Sequence, residues 1–150
     1  MKEKIIIGKS DIASFPELEI DDIHIKVDTG AYTSSIHSHQ ISLDVKNDKK
    51  IIKFKILDPT HPLYVDKVFT TENFSEKKIK NSFGKTEKRF IINTQIQIFE
   101  KTYPIELSLS ERGEMRYPVL IGRKLLNGNF IVDTSKTNLS KNKKIKSIKI

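Results

Sequence analysis

The chain has no cysteine among its 150 residues. This absence excludes a disulfide framework, thiolate metal ligands and a cysteine nucleophile. The sequence also has no apolar run near the ~20 residues that a membrane-spanning helix needs. Its first segment, MKEKIIIGKSD, carries a charge inside the apolar run and so differs from a signal peptide. We therefore expect a soluble cytoplasmic protein with no membrane partner.

Acidic side chains are in deficit. The sequence has 27 Lys and Arg against 19 Asp and Glu, a net charge of +8, which would attract nucleic acid, an anionic membrane or an acidic substrate. The end of the chain, SKTNLSKNKKIKSIKI, has six lysines and no acid. It also lacks the aromatic side chains on which a nucleic-acid reader stacks bases. We expect residues 136–150 to form a basic, flexible, solvating tail, and no specific nucleic-acid partner.

Helical periodicity is scarce, and the dominant period is two. Apolar residues alternate with polar ones, as half-buried strands require, at Ile23, Ile25 and Val27 and again at Ile105, Leu107 and Leu109. The other predicted strands cover 51–57, 63–71 and 88–99, with a turn at 58–62 and a hairpin or loop at 72–85. The one helix signal is RKLLNG, directly after Gly122. This pattern predicts an all-β barrel or sandwich.

Two catalytic signatures are also missing. The sequence has no HExxH zinc motif and no GxxxxGK[ST] phosphate loop. Its histidines are His24, His37, His39 and His61. On a strand, His37 and His39 would project to the same side and could supply half of a metal site, but no motif announces two further ligands. We therefore predict no metal and no cofactor, with metal catalysis as an open alternative.

The segment IKVDTGAYTSSIH carries the strongest chemical pattern. An Asp at the end of an apolar strand, followed by Thr and Gly, places a carboxylate on a sharp loop where backbone N–H groups can hold it. Asp, Thr and Gly also make ordinary turns, so the tripeptide alone is a weak signal. A second Asp-Thr pair occurs near the end of the chain, in FIVDTS.

A second element follows about ninety residues later, in VLIGRKLL. Asp-Thr-Gly combined with an apolar-Gly-Arg segment that leads into a helix resembles the retropepsin-type aspartic proteases. With FPELEI, NSFGKTEKRFII and YPIELSLSERGEMRYPVLIGRKLL, the chain is similar over residues 5–135 to a bacterial retropepsin-like family labelled ATP-dependent zinc proteases and associated with ATP-grasp glutamate ligases. The resemblance implies a domain over 1–135, folded as a small closed barrel of the acid-protease type with one short helix after Gly122.

The resemblance also implies a set of site residues. Asp28 is then the catalytic carboxylate, Thr29 locks two active-site loops together, and Gly30 allows close backbone approach. Ala31, Gly122 and Arg123 support the loop. Candidate substrate-binding residues are Tyr32, which stands where relatives often have arginine, and His37, Arg89, Glu106 and Arg112. The charged members of this group have an alternative role as structural ion pairs that brace loops.

Peptide hydrolysis by this route needs two close aspartates that share a proton. One chain supplies one Asp-Thr-Gly, and Asp133 follows the Gly-Arg element instead of preceding one, so we interpret Asp133 as a turn or cap. The predicted dyad is Asp28 with Asp28 of a second subunit in a homodimer. The predicted function is an aspartic endopeptidase that cleaves peptide or glutamyl-type amide bonds in acidic or glutamylated substrates. The alternatives are a non-catalytic peptide-binding module on the same fold and a metal-dependent peptidase.

Overall fold

The computed structural model describes residues 3–80, 84–111 and 117–148. Within these ranges the chain is mostly β-strand, as the period-two patterns predicted. The strands are β1 (Ile5–Ile7), β2 (Ser10–Phe15), β3 (Ile20–Val27), β4 (Ser34–Lys46), β5 (Lys49–Ile56), β6 (Phe69–Thr71), β7 (Phe74–Lys80), β8 (Thr86–Ile98), β9 (Lys101–Ser110), β10 (Val119–Ile121) and β11 (Phe130–Val132). The α-helices are α1 (Arg123–Leu126) and α2 (Leu139–Ile148), and a short 3₁₀ helix covers Pro16–Leu18.

The large sheet returns on itself. Its strands follow the order β10-β3-β2-β8-β9-β4, and β4 pairs back with β10, which produces a ring. Strand β10 runs parallel to β3, with Ile121 beside Val27, and antiparallel to β4, with Leu120 beside Ser35. Because β10 lies between these two strands, the end of β3, the start of β4 and the residues after β10 meet at one end of the ring.

The core lies inside this ring, and the alternating residues fill it. Ile23 and Ile25 of β3 and Leu107 and Leu109 of β9 are all buried, as their spacing predicted. Full burial of such a side chain contributes about 2 kcal/mol. Strand β8 departs from strict alternation, because both Ile91 and Ile92 are buried. The side of β8 that carries Ile91 is therefore also shielded from solvent at that residue.

One predicted strand differs from the structure, whereas the hairpin alternative for 72–85 is confirmed by strand pairing. The strand expected over 63–71 is confined to Phe69–Thr71, because local hydrogen bonds hold the preceding residues in a turn. The Nδ1 atom of His61 accepts from the backbone N–H of Leu63 at 3.0 Å, and the carbonyl of His61 accepts from the N–H of Tyr64 at 3.0 Å. The segment 72–85 contains strand β7, which pairs antiparallel with β8 as one arm of a hairpin.

The C-terminal segment corrects the expectation of a flexible tail and of a single helix. Helix α2 begins at Leu139, and the buried carboxylate of Asp11 on β2 caps its first turn. Asp11 accepts from the backbone N–H groups of Ser140 at 2.9 Å and Lys141 at 3.2 Å. The Ser140 hydroxyl in turn accepts from the N–H of Phe99 at 2.8 Å. The composition of the C-terminal segment could not indicate this anchor, because the residue that provides it, Asp11, lies near the start of the chain.

This anchor predicts a large stability effect. Asp11→Ala leaves three buried or half-buried N–H groups without their acceptor, those of Ile12, Ser140 and Lys141. Unsatisfied buried donors cost 1–3 kcal/mol each, so we expect a loss of about 3 kcal/mol in the free energy of unfolding, measured with urea. The control is Asp44→Ala on the exposed part of β4, which should change stability little. Equal effects of the two variants would contradict the anchor.

No helix in the described ranges is long and apolar enough to cross a bilayer.

Candidate active site

Asp28 follows directly on the last residue of β3, in the loop between β3 and β4. Its backbone N–H donates to the carbonyl of Ile121 at 2.8 Å, which continues the pairing of β3 with β10. The N–H of Gly30 donates to Oδ1 of Asp28 at 3.0 Å, and the N–H of Ala31 donates to the Asp28 carbonyl at 3.2 Å. The carboxylate is half-buried. Strand pairing thus fixes its backbone, and the loop fixes its side chain.

Gly122 packs against the back of this loop. A Cβ atom at this position would lie 2.6 Å from the carbonyl oxygen of Tyr32 and 2.9 Å from that of Ala31. Its backbone N–H donates to the hydroxyl of Ser34 at 2.9 Å. The contact with the loop is therefore backbone on backbone, which only glycine permits without displacement.

Helix α1 begins where the loop can satisfy its first N–H groups. The N–H of Arg123 donates to the carbonyl of Ala31, and that of Lys124 donates to the carbonyl of Tyr32, both at 2.9 Å. The Arg123 guanidinium also donates to the carbonyl of Thr29 at 2.8 Å and lies over the Tyr32 ring, 5.9 Å from its centroid. The Gly-Arg segment thus clamps the Asp-Thr-Gly loop through its carbonyls.

This arrangement presents one carboxylate that is oriented and half-exposed. A group that exchanges protons with water or substrate needs both properties. Thr29 and Gly30, which follow Asp28, are exposed at the same end of the ring. An isolated carboxylate cannot supply both the base and the acid of amide hydrolysis. The chemistry therefore needs a second acidic group.

Asp133 repeats the local hydrogen bonds of Asp28, but no guanidinium corresponding to that of Arg123, which donates to Thr29, is seen to hold its turn in the described residues. It lies in a turn after β11, where its Oδ1 atom accepts from the hydroxyl of Ser135 at 2.6 Å and from the Ser135 N–H at 3.0 Å. These two hydrogen bonds hold the pKa of the Asp133 carboxyl below its usual value. Its own N–H donates to the carbonyl of Ile7 at 2.9 Å. The contacts are those of the turn residue that the sequence predicted.

The candidate substrate-binding residues each have a separate environment. Arg89 lies 3.5 Å from Glu87 on the same strand, and Glu106 accepts from Lys124 at 2.6 Å. Tyr32 is half-exposed beside Arg123, and Arg112 lies outside the described residues. These contacts match the ion-pair alternative more closely than a single charged cluster.

His37 and His39 both contact residues outside the Asp28 loop. His37 is buried on β4, where its Nε2 atom is 3.9 Å from Asp58, and the His39 ring packs on Tyr64. The Nδ1 atoms of both histidines are buried without a hydrogen-bond partner. In the described part of the chain, no three His, Cys, Asp or Glu side chains are arranged to hold a metal ion.

Sequence reasoning missed two residues of this region. Ser34 is buried behind the loop and accepts from Gly122, and Lys124 pairs with Glu106, which raises the pKa of the Lys124 ammonium. The position of Ser34 shortly after the Asp-Thr-Gly segment was the available sequence signal for it. The sequence carried no corresponding signal for Lys124, because Glu106 precedes it by 18 residues on another element.

The family model described as retropepsin-like aspartic endopeptidase RimB matches residues 6–143. The chain belongs to the RimB-like family. The family match includes the Asp28 loop, the Gly-Arg segment and the first residues of α2.

Relatives of this RimB-like chain are longer. It is 38% identical over 134 residues to a protein named "Probable alpha-L-glutamate ligase" from Desulfotalea psychrophila, with 87% of this chain and 28% of the relative covered. A protein of the same name from Parasynechococcus marenigrum is 34% identical over 137 residues, with 89% and 28% covered. The chain thus spans less than a third of the length of these relatives.

A solved structure shares the fold. The protein Lpg0085 (DUF785), of unknown function, from Legionella pneumophila superposes with a TM-score of 0.73 at 24% sequence identity. The match covers 92% of this chain and 99% of that one. This likeness shows the fold alone.

Proposed function

We propose that this RimB-like chain is an aspartic endopeptidase, with Asp28 as one half of a dyad completed by Asp28 of a second copy. The observation that carries the proposal is the clamped loop, in which Ile121 and Gly30 hold the backbone and the carboxylate of Asp28 in one orientation. The turn at Asp133 has similar local hydrogen bonds, so the distinguishing feature of the Asp28 loop is its contact with the Gly-Arg segment, in which the Arg123 guanidinium donates to the Thr29 carbonyl at 2.8 Å.

The reaction follows from two carboxylates that share one proton. Two such groups in contact cannot both ionise, so one is a carboxylate and the other a carboxylic acid. The carboxylate takes a proton from water as the water oxygen attacks the amide carbon, and the acid protonates the carbonyl oxygen. The tetrahedral intermediate then collapses with proton transfer to the leaving nitrogen, which breaks the C–N bond. Each Asp28 serves as base or acid in turn.

A surface beside the site fits a second copy. In the two-stranded sheet of β1 and β11, Ile6 and Ile131 are adjacent in register and 52% and 55% exposed. The segment after β1 contacts the site strand, because the carbonyl of Lys9 accepts from the N–H of Val27 at 2.9 Å. Two exposed isoleucines favour burial against an identical patch across a two-fold axis. We place the dimer contact at this sheet.

The test of this proposal is the Ile131→Asp variant. A carboxylate in the dimer contact would have to be desolvated, so we expect mainly monomer by sedimentation and loss of peptide cleavage by at least about tenfold at fixed protein concentration. Val65→Asp is the matched control, because Val65 is 59% exposed on a loop elsewhere. An Ile131→Asp protein that stays dimeric and active would refute this contact.

The proposed substrates are acidic or glutamylated peptides. The hairpin of β7 and β8 carries more basic than acidic side chains; Lys88 and Arg89 pair with Glu76 and Glu87, and the exposed Lys77 and Lys78 add to its positive charge. Its base lies near the site, since Ile91 of β8 pairs with Ser108 of β9, and Ser108 pairs with Ser35 at the start of β4. A basic hairpin attracts anionic peptides. The relatives named as glutamate ligases support the same substrate class.

This assignment predicts a charge-dependent specificity. The double change Lys77→Glu and Lys78→Glu should lower kcat/KM for a glutamate-rich peptide by about tenfold and leave a neutral peptide nearly unaffected, because the attraction is electrostatic. Added salt should reduce the difference. The control, Lys46→Glu with Lys50→Glu, makes the same charge change on the hairpin of β4 and β5. Equal losses in both double variants would indicate only a net-charge effect.

A further inference from the structure

A cavity separate from the Asp28 carboxylate lies between α1 and strands β8 and β9. Its volume is about 470 Å³, within the range of small-molecule sites. Apolar walls are formed by Ile105 and Leu125, and hydroxyl and amide groups come from Ser34, Thr94 and Asn129. Ser34, Thr94, Ile105 and Leu125 are all buried, so the cavity has a formed interior.

The charge of the cavity is balanced. Lys124 Nζ and Glu106 Oε2, both in its lining, are 2.6 Å apart and half-exposed. A ligand with a single charge would be attracted by one of these groups and repelled by the other. A molecule with both a positive and a negative charge can replace the Lys124–Glu106 ion pair with two new pairs, its carboxylate with Lys124 and its ammonium with Glu106. The Ser34 hydroxyl accepts from Gly122 and the Thr94 hydroxyl donates to Glu17 at 3.3 Å, so the Ser34 O–H and the Thr94 oxygen lone pairs can hydrogen-bond a ligand backbone between the two charges.

We propose that this cavity binds a small zwitterion, a dipeptide with a free ammonium and a free carboxylate. The inference goes beyond the proposed peptidase activity and does not require it. The cavity is also joined to the Asp28 loop. Ser34 accepts from the N–H of Gly122, and the N–H of Lys124 donates to the carbonyl of Tyr32. An occupant therefore touches two residues that anchor the loop from behind.

The experiment is a titration of the wild-type chain with L-alanyl-L-alanine, followed by calorimetry and by amide NMR. We expect a dissociation constant of about 1 mM, with amide shifts at Gly122 and Lys124 and none at Lys53. The N-acetyl form lacks the ammonium and the C-terminal amide lacks the carboxylate, and each should bind at least about tenfold more weakly. Hydrolysis would appear as free alanine, so binding and peptidase activity are observed separately.

Two variants assign the charges. Glu106→Gln should abolish the preference for the dipeptide over its N-acetyl form, and Lys124→Met should abolish the preference over its amide. Lys53→Met is the matched control, because Lys53 also pairs with a carboxylate, that of Asp44 at 3.3 Å, but lies outside the cavity lining. Absence of binding at about 50 mM would overturn the proposal. Binding that is unchanged in Lys124→Met and Glu106→Gln would overturn it as well.

Discussion

Replacement of Asp28 by Asn is expected to lower kcat/KM for peptide cleavage by about 10³-fold or more while the fold remains intact. The amide cannot accept the proton that the carboxylate must take from the attacking water, and general acid–base steps contribute 10²–10⁴-fold. The Asn side chain retains an oxygen that can accept from Gly30, so the loop hydrogen bond survives. Circular dichroism and the melting temperature should match those of the wild type. Asp133→Asn is the control and should leave the chemical step nearly unchanged.

The shared dyad adds a distinctive result. Excess Asp28→Asn chains mixed with wild-type chains should inhibit the wild-type peptidase activity, because the heterodimers that form carry one carboxylate and one amide. The pH profile of kcat/KM should be bell-shaped and report the pair as a unit. Full activity in the presence of excess mutant chain would show that one Asp28 suffices.

A metal mechanism predicts a different outcome. Chelators would then remove activity, and His37→Ala would cost as much as Asp28→Asn. We expect neither effect, because His37 lies on β4, where its partner is Asp58, and not in the Asp28 loop. Chelator-sensitive cleavage that survives in Asp28→Asn would refute the aspartic mechanism. A folded dimer that cleaves no peptide would instead favour the non-catalytic binding module.

Gly122→Ala is expected to destabilise the protein by about 3 kcal/mol and to disrupt the site. The added Cβ would lie 2.6 Å from the Tyr32 carbonyl oxygen and 2.8 Å from its carbon, so backbone must move. Overpacking of this kind costs 1–3 kcal/mol or more. The displaced segment carries Arg123 and Lys124, whose N–H groups hold the loop, so activity should fall further than stability alone explains. Urea unfolding and peptide cleavage measure the two effects.

Gly128→Ala separates steric overlap from backbone strain. Gly128 has φ of +80°, which disfavours alanine, but its added Cβ would meet nothing within 4 Å. A strained residue of this kind costs about 1 kcal/mol. We expect Gly128→Ala to be milder than Gly122→Ala and to leave activity intact. The reverse order would contradict the close packing of Gly122, because its φ of −96° is an extended conformation open to any residue.

The alternating patterns predicted β3, β5, β8 and β9, because burial on one face of a strand repeats every second residue, but they did not predict β2 or β4. Val27 and Leu109 are buried as expected, and the helix after Gly122 begins at the next residue. The pattern failed over 63–68, where the alternation of Leu63 and Val65 does not correspond to a strand. Both side chains are exposed and local turn bonds satisfy the backbone. A pattern alone cannot indicate whether a neighbouring strand is present to pair with.

The same limit explains the C-terminal helix. Its lysines indicate a solvated segment, and they are compatible with a helix whose stability comes from elsewhere in the chain. The stabilising contact is the Asp11 carboxylate, which accepts from N–H groups 129 and 130 residues away. Sequence windows contain only neighbours along the chain, so they do not detect a cap that arrives from another strand.

The sequence by itself determined the strand content, the position of Asp28 at the end of an apolar strand and the Gly-Arg segment that belongs with it. These features depend on local backbone preference and side-chain alternation. The tertiary structure decided which groups meet: Gly122 against the Tyr32 carbonyl, Ser34 behind Gly122, and Glu106 on Lys124. The physical reason is that β10 lies between β3 and β4, and this ring closure brings residues about ninety positions apart into backbone contact.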